Sequence, residues 1–414
     1  MVYTRRYENF LVAILFLTWG TVFLDRMAQL YLSPYLIDDL KFSNEQIGIL
    51  ASATALAWAV STVLFGAISD RVGRRVVLIP AVFTFSLLSW LSGIVRTFEE
   101  MLLVRALLGL AEGPCFSVIM AIMEESSEPS RRAPNVGVVI SAASLVGLAV
   151  APVLTTQIAA HFGWRWAFFV AGVPGVILGI LITFFVAEPK QQANNPAALA
   201  GPTRPASIGD FFSVLRYRNM LLCCVAAAAN LTGLFFVSVF GPLYITQVAG
   251  QAPTTAGFIL GAYGLGAFFG GFILPGISNR IGRKTTLLIN AFTTALIPVV
   301  LLVSPLYGNL WLMALLLFLF NGAQSIAALT HVIIPTETIP RAIAATGIGL
   351  AAMFGEIISA TVGPAVGITL SNSFGLGATM WAGAGALVVA LIAALFMRET
   401  KRSDYMAAAL SASP

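Results

Sequence analysis

The chain has 414 residues, of which 58% are hydrophobic and only 10% are charged, with a formal net charge of +5. Soluble domains carry about 25% charged residues, so this composition excludes a chain that folds entirely in water. The positive charge comes from loop arginines and forms no continuous basic surface, which argues against a nucleic-acid partner. The sequence instead predicts a protein whose main partner is the lipid bilayer.

Twelve apolar stretches follow one another along the chain, each about as long as the roughly 20 residues that a helix needs to cross a bilayer. They predict an all-α polytopic membrane protein. We place the twelve spans at 10–36, 45–68, 76–95, 101–123, 134–160, 166–187, 219–248, 254–278, 285–305, 309–333, 342–370 and 375–397.

Lysine and arginine predict the orientation of these spans. With both termini in the cytoplasm, eighteen of the 23 basic residues fall in cytoplasmic segments, and only Lys41, Arg96 and Arg165 fall on the other side. Such an excess of positive charge marks the cytoplasmic face. We therefore expect a multi-pass protein of the bacterial cytoplasmic (inner) membrane, with both termini inside.

A polar segment divides the chain into two halves. Residues 191–205 read QQANNPAALAGPTRP, which is small, polar and rich in proline, as in a linker. We predict a six-helix unit over 1–190, a cytoplasmic linker over 191–218, a second six-helix unit over 219–400 and a cytoplasmic tail over 401–414.

The two halves contain related loop segments. Residues 66–75 read GAISDRVGRR, and residues 276–284 read GISNRIGRK. Asn279 takes the place of Asp70, so any charge-based contact is expected to be weaker in the second copy. In the first copy, the arginines can pair with Asp70 or with nearby helix ends, and we predict a latch that holds the cytoplasmic side closed. Its residues are Gly66, Asp70, Arg71, Gly73, Arg74 and Arg75. The alternative is a basic cluster that only fixes topology.

Four charged residues lie inside two of the predicted spans: Asp25 and Arg26 in the first, Arg105 and Glu112 in the fourth. Each charge in hydrocarbon costs about 2.5–3.5 kcal/mol on insertion scales, so we expect them to face a shared polar interior. A rise of about 1.5 Å per residue puts Asp25 and Arg105 at similar depth. Glu112 follows Arg105 by nearly two turns and faces the same way. The alternative is a pair of structural salt bridges.

Polar side chains in the other spans are weaker candidates for a ligand site. Glu356 is the acid inside the eleventh span, and amides that both donate and accept suit a polyhydroxylated ligand. We select Tyr31, Asn230, Asn321, Gln324 and Glu356 as substrate-binding candidates. Each of them has an alternative role in joining helices, or, for the tyrosine, in an aromatic belt.

No enzyme site is evident in the sequence. There is no phosphate-binding loop of the Walker type. The two histidines, His161 and His331, lack plausible partners, and the three cysteines are not at metal-ligand spacing. We therefore expect no enzymatic activity, no cofactor and no metal.

The 66–75 segment closely resembles the loop motif Gly-x-x-x-Asp-Arg-x-Gly-Arg-Arg of the major facilitator superfamily. That resemblance implies twelve helices in two six-helix bundles that transport by alternating access. The Asp25-Arg26 pair with Arg105-x6-Glu112 resembles the organic anion–cation symporter family. It implies that Arg26 contacts a substrate carboxylate, that Asp25 and Glu112 carry protons, and that Arg105 partners Asp25.

The sequence therefore predicts a secondary active transporter that couples uptake of a small organic anion to protons. A sugar acid is the first expectation, and an aromatic or dicarboxylic acid is the second. We expect a monomer. The alternatives are a lysolipid carrier of the spinster kind or an exporter of drugs or organic anions, and, more remotely, a transporter-like nutrient receptor.

Overall fold

The computed structural model describes residues 4–188, 213–339 and 344–400, apart from the side chains at positions 63, 67, 70, 133, 304 and 344–346. These residues contain helices and no strand. Twelve of the described helical stretches are long and apolar enough to cross a membrane. The predicted all-α class and the twelve spans are thus confirmed. The predicted linker is described only over 213–218, and the predicted tail lies outside the described residues.

The first six spans are mostly single helices. The fifth is made of three consecutive segments, the middle one of which is a π-helix. The bounds are Arg5–Tyr31, Asn44–Val72, Arg74–Ser92 and Phe98–Ser126, then Arg132–Ala142, Ala143–Val150 and Ala151–Phe162, then Trp164–Phe185.

The second six spans include two that change helical type along their length. The seventh ends in a π-helical segment, and the tenth comprises four short segments. The bounds are Arg218–Leu243 with Tyr244–Val248, Pro253–Ile281 and Arg283–Leu302, then Leu310–Phe320, Ala323–Ala327, Ala328–Ile333 and Ile334–Thr338, then Ala344–Phe374 and Leu376–Phe396.

The first span has the 27 residues of the predicted 10–36, but it lies five residues nearer the N-terminus. It ends at Tyr31, and a separate helix, Ser33–Leu40, begins immediately after Leu32. Pro34 lies in the first turn of this helix, where its missing N–H removes no helical hydrogen bond. The apolar run continues across this junction, and so hydropathy alone placed the end of the span too late.

The tenth span is interrupted where the sequence predicted a continuous helix. Helix Leu310–Phe320 ends at Asn321, and the next segment begins at Ala323. Thr294 of the ninth span repairs the gap, since its hydroxyl accepts from the Gly322 N–H at 3.0 Å and donates to the Phe320 carbonyl at 3.4 Å. Backbone groups freed inside a membrane need such partners.

The chain divides into two compact units. The first comprises 1–191, 238–265 and 371–376, and the second comprises 192–237, 266–370 and 377–414. The main core of the first unit includes Leu11, Trp19, Phe85 and Val118, all buried. The second unit has a core of smaller side chains, in which alanine is the most frequent residue.

Close packing against the second span fixes the position of the fourth span, which carries Arg105 and Glu112. Gly109 lies between Arg105 and Glu112, and a Cβ added there would come within 2.3 Å of the Thr54 carbonyl oxygen. Only glycine permits this approach, because the obstructing atom belongs to the backbone of the second span. Small residues allow membrane helices to approach in this way.

We expect Gly109→Ala to destabilise the protein by about 1–3 kcal/mol, the usual penalty for overpacking. The matched control is Gly137→Ala, since Gly137 is also helical but has open space where its Cβ would lie. Thermal unfolding of the purified variants in detergent checks this. A Gly109→Ala protein as stable as the Gly137→Ala protein would contradict the packing argument.

Candidate functional site

Asp25 and Arg105 form a fully buried ion pair between the first and fourth spans. Nη1 of Arg105 lies 3.9 Å from Oδ1 of Asp25, and both side chains have 0% exposure. The same Nη1 donates to the Asp25 carbonyl oxygen at 3.4 Å. Nε and Nη2 of Arg105 and Oδ2 of Asp25 have no hydrogen-bond partner among the described residues. The structure thus brings this predicted pair together, but at the long end of ion-pair distances.

Two neighbouring side chains complete the surroundings of this pair. The Ser89 hydroxyl of the third span lies 2.7 Å from Oδ1 of Asp25 and 3.0 Å from the carbonyl oxygen of Phe168. The ring of Phe168, in the sixth span, lies under the guanidinium of Arg105, with 4.6 Å from Cζ to the ring centre. The sequence analysis selected neither Ser89 nor Phe168.

Glu112 is also fully buried, and it lies within electrostatic range of Asp25, Arg26 and Arg105. Among the described residues, neither of its carboxyl oxygens has a hydrogen-bond partner. A buried carboxylate without hydrogen bonds is costly. The cost of burying Glu112 is therefore offset only if the carboxyl group holds a proton, or if a ligand or water donates a hydrogen bond to it.

Arg26 rests on aromatic rings. Its Cζ lies 4.8 Å from the centre of the Trp58 ring and 5.7 Å from that of Phe23. Trp19 and Phe116 extend the cluster, with centroid distances of 4.9 Å from Trp19 to Phe23 and 5.9 Å from Trp58 to Phe116. Arg26 is half-buried. In the described part of the chain, no carboxylate or other hydrogen-bond acceptor pairs with its guanidinium.

The indole nitrogens of Trp19 and Trp58 are buried and, within the described residues, unpaired. They add two N–H donors to the surroundings of Arg26. Neither tryptophan was predicted from the sequence, although Trp19 precedes Arg26 by two turns of the same helix. Tyr31 is buried at the end of the first span, within electrostatic range of Tyr263.

The remaining substrate-binding candidates lie in the second unit. Asn230 donates from Nδ2 to the Ala323 carbonyl at 3.2 Å, and its Oδ1 is buried with no partner in the described residues. Asn321 accepts from the Ala323 N–H at 3.1 Å. The structure thus brings both asparagines to the interruption of the tenth span, where Gln324 is half-buried.

Glu356 is half-buried in the eleventh span. The Ser359 hydroxyl donates to its backbone carbonyl at 3.1 Å. The adjacent Gly355 packs against Leu231 of the seventh span. Among the described residues, no group of histidine, cysteine and acidic side chains is arranged to hold a metal ion.

The predicted latch residues lie at the end of the second span and the start of the third. Gly73 joins these spans with φ of 107°, a conformation that favours glycine. Arg74 donates to Oε1 of Glu125 at 2.7 Å and to the Ser69 hydroxyl at 2.7 Å. Arg75 donates to the Thr183 carbonyl near the end of the sixth span at 2.6 Å.

The other predicted latch residues are Gly66, Asp70 and Arg71. Gly66 is half-buried and faces Ser117 of the fourth span, whereas Arg71 is exposed. The side chain of Asp70 lies outside the described residues. Glu188, which sequence reasoning missed, binds the start of the third span, where its carboxylate accepts from the backbone N–H groups of Arg74 and Arg75.

The second loop repeats this arrangement. Gly282 has φ of 101°, Arg283 donates to Glu337 at 2.9 Å and to the Ser278 hydroxyl at 2.6 Å, and Glu399 accepts from the backbone N–H groups of Arg283 and Lys284. Arg283 also donates to Oδ1 of Asn279 at 2.8 Å, so the residue that replaces the aspartate still takes part in the cluster.

Comparison with known proteins identifies the class. The model of the Major Facilitator Superfamily matches residues 14–361. The chain therefore belongs to this superfamily, as its loop motif indicated. It is a multi-pass membrane transporter and not an enzyme.

Two curated relatives carry names that describe their transport. The chain is 29% identical over 283 residues to the hexuronate transporter of Bacillus subtilis (strain 168), covering 67% of this chain and 66% of that one. It is 28% identical over 386 residues to the cis,cis-muconate transport protein of Acinetobacter baylyi, covering 90% and 91% of the two chains.

A solved structure shares the fold. A bacterial homologue of the human lysosomal transporter Spinster superposes with a TM-score of 0.72 at 17% identity, and the match covers 95% of this chain and 97% of that one. At this identity, the likeness shows the fold alone.

We expect Glu188→Ala to destabilise the protein by about 1–2 kcal/mol, because two N–H groups at a helix start lose a charged acceptor. Glu399→Ala tests the same arrangement in the second half. The control is Glu124→Ala, since Glu124 is exposed. The measurement is thermal unfolding in detergent, and equal stability of all three variants would contradict this role.

Proposed function

We propose that this protein is a proton-coupled symporter that takes up a small organic anion by alternating access across a bacterial inner membrane, with both termini cytoplasmic. One observation carries the proposal: Arg26 is a half-buried cation without a carboxylate partner among the described residues, next to a buried Glu112 whose oxygens are also unpaired.

The state of Arg26 supports an anionic substrate. Stacking on Trp58 and Phe23 holds the guanidinium by its face and leaves its N–H groups available. Those donors form a planar fork that matches a carboxylate in two parallel hydrogen bonds. An arriving carboxylate can therefore bind these N–H groups without having to displace another acid.

The balance of charge supports proton coupling. Asp25 and Glu112 neutralise Arg26 and Arg105 when all four are ionised, and Asp25, Arg105 and Glu112 are fully buried. A bound monoanion would leave one uncompensated negative charge, which is costly in a dry interior. A proton on Glu112 or Asp25 restores neutrality, so the anion and the proton bind together more easily than either binds alone.

The relatives support the substrate class. Hexuronate is a sugar acid and muconate is an unsaturated dicarboxylic acid, and these are the substrates in the names of the two relatives. Both carry carboxylates. We keep a sugar acid as the first candidate, and Tyr31, Asn230, Asn321, Gln324 and Glu356 remain substrate-binding candidates.

The loop clusters support alternating access. Ion pairs of Arg74 with Glu125 and of Arg283 with Glu337 lie at comparable places in the two halves. We assign these loops, with Gly66, Asp70, Arg71, Gly73 and Arg75, to a latch that forms and breaks as the transporter changes state.

Thermal-shift measurements on the purified protein test the anion site. We expect D-glucuronate or cis,cis-muconate to stabilise the wild type by about 2.7 kcal/mol at about 100 times its dissociation constant. Arg26→Ala should remove this shift and Arg26→Lys should weaken it. Arg96→Ala, at an exposed arginine, should keep it. Stabilisation that survives in Arg26→Ala would overturn the assignment of Arg26.

Transport in proteoliposomes tests the proton. We expect Glu112→Gln to abolish accumulation of the anion driven by a proton gradient and to spare exchange of internal for external anion, because glutamine cannot release a proton. Glu99→Gln, at an exposed position, serves as the control. Full uphill accumulation by Glu112→Gln would exclude Glu112 as proton carrier, and movement of lysolipid instead of either anion would favour the spinster-like alternative.

A further inference from the structure

Ser89 makes hydrogen bonds to two other spans, and the family resemblance gives it no role. Three serines of the third span, Ser86, Ser89 and Ser92, are fully buried. Ser86 and Ser92 donate to carbonyls of their own helix, at 2.8 Å and 2.9 Å. Of these three, only the Ser89 hydroxyl has hydrogen-bond partners in other spans among the described residues, namely Asp25 of the first at 2.7 Å and the Phe168 carbonyl of the sixth at 3.0 Å.

We propose that Ser89 is a positioning residue whose single hydroxyl hydrogen alternates between Asp25 and the Phe168 carbonyl, and so couples protonation of Asp25 to the sixth span. This inference rests on the proposed function, in which Asp25 exchanges a proton during transport. Ser89 would then take part in proton coupling although its own side chain does not ionise.

The chemistry of the hydroxyl leads to two arrangements. A serine hydroxyl has one donor hydrogen and two acceptor lone pairs, and here two acceptors lie within reach. When Asp25 is ionised, the hydrogen goes to Oδ1, since a charged acceptor gives the stronger bond. When Asp25 is protonated, its O–H donates to the Ser89 oxygen, and the Ser89 hydrogen turns to the Phe168 carbonyl. No covalent bond other than that of the titrating proton changes.

Phe168 links this hydrogen bond to Arg105. Its carbonyl faces Ser89, while its ring lies 4.6 Å from Cζ of Arg105. Protonation of Asp25 removes the negative charge opposite Arg105 and at the same time adds a hydrogen bond on Phe168. The other charged groups near Asp25 are Glu112, on the same span as Arg105, and Arg26, the next residue along the first span.

Infrared spectroscopy on isotopically labelled aspartate tests the hydrogen bond without a substrate. Difference spectra between acid and alkaline pH should contain a carboxyl band that Asp25→Asn removes. We expect this band to shift in Ser89→Ala, to stay near its wild-type position in Ser89→Thr, which keeps the hydroxyl, and to stay unchanged in the matched control Ser92→Ala. A band with the same position in Ser89→Ala and Ser92→Ala would overturn the proposal.

Transport gives the second measurement. In proteoliposomes with D-glucuronate or cis,cis-muconate, the pH midpoint of proton-driven uptake should move by about one pH unit in Ser89→Ala, as expected for loss of a hydrogen bond to a charged group. Exchange of the same anion should change less than twofold. An unmoved pH profile in a folded Ser89→Ala protein would contradict the coupling role.

The two measurements separate the proposals. A shifted infrared band in a protein that transports neither anion would support the Ser89 hydrogen bond and count against the proposed function. Proton-driven uptake with an unshifted band would support the function and reject Ser89.

Discussion

Neutralisation of charge inside the membrane is the constraint on which the rest of the first unit depends. Asp25 and Arg105 are fully buried, and so is Glu112. Hydrocarbon offers no water to these groups, so the protein has to supply counter-charges, hydrogen bonds and ring faces. The Asp25–Arg105 contact, at 3.9 Å, is long for an ion pair, and it leaves donors and an acceptor unpaired. Such a pair holds the two spans together, and in the proposed function it also responds when a proton or an anion arrives.

Duplication explains the two loops that follow the second and eighth spans. Each half combines a glycine with positive φ, an arginine that binds a serine and a glutamate, and a second glutamate that caps the helix start. This set of residues recurs although the surrounding sequences differ, because each loop has the same two structural requirements. The chain has to turn sharply, and the first N–H groups of the following helix need hydrogen-bond acceptors. Asn279 stands in the second loop where the first has Asp70. It lacks the negative charge but still has a side-chain oxygen that can accept a hydrogen bond.

Hydropathy predicted the number of spans, and depth along two helices predicted that Asp25 and Arg105 could meet. The limits of this reasoning are physical. The interruption at Asn321–Gly322 depends on Thr294, which lies in another span and has no signal in the local sequence. Nothing in the local sequence distinguishes Ser89 from Ser86 and Ser92, because the partners of its hydroxyl lie in other helices. Glu188 and Glu125 were missed as partners of the loop arginines because their contacts join segments distant along the chain.

Arg26 and Arg105 are held in different ways, and this difference supports different roles. Nη1 of Arg105 already contacts the carboxylate and the backbone carbonyl of Asp25. Arg26 is held by the faces of Trp58 and Phe23, a contact worth about 0.5–2 kcal/mol, which consumes none of its N–H groups. A carboxylate that binds Arg26 therefore gains hydrogen bonds without breaking any within the described residues. A carboxylate that binds Arg105 has to compete with Asp25. In the proposed function, protonation of Asp25 removes that competition, so that the proton acts on Arg105 while Arg26 recognises the anion.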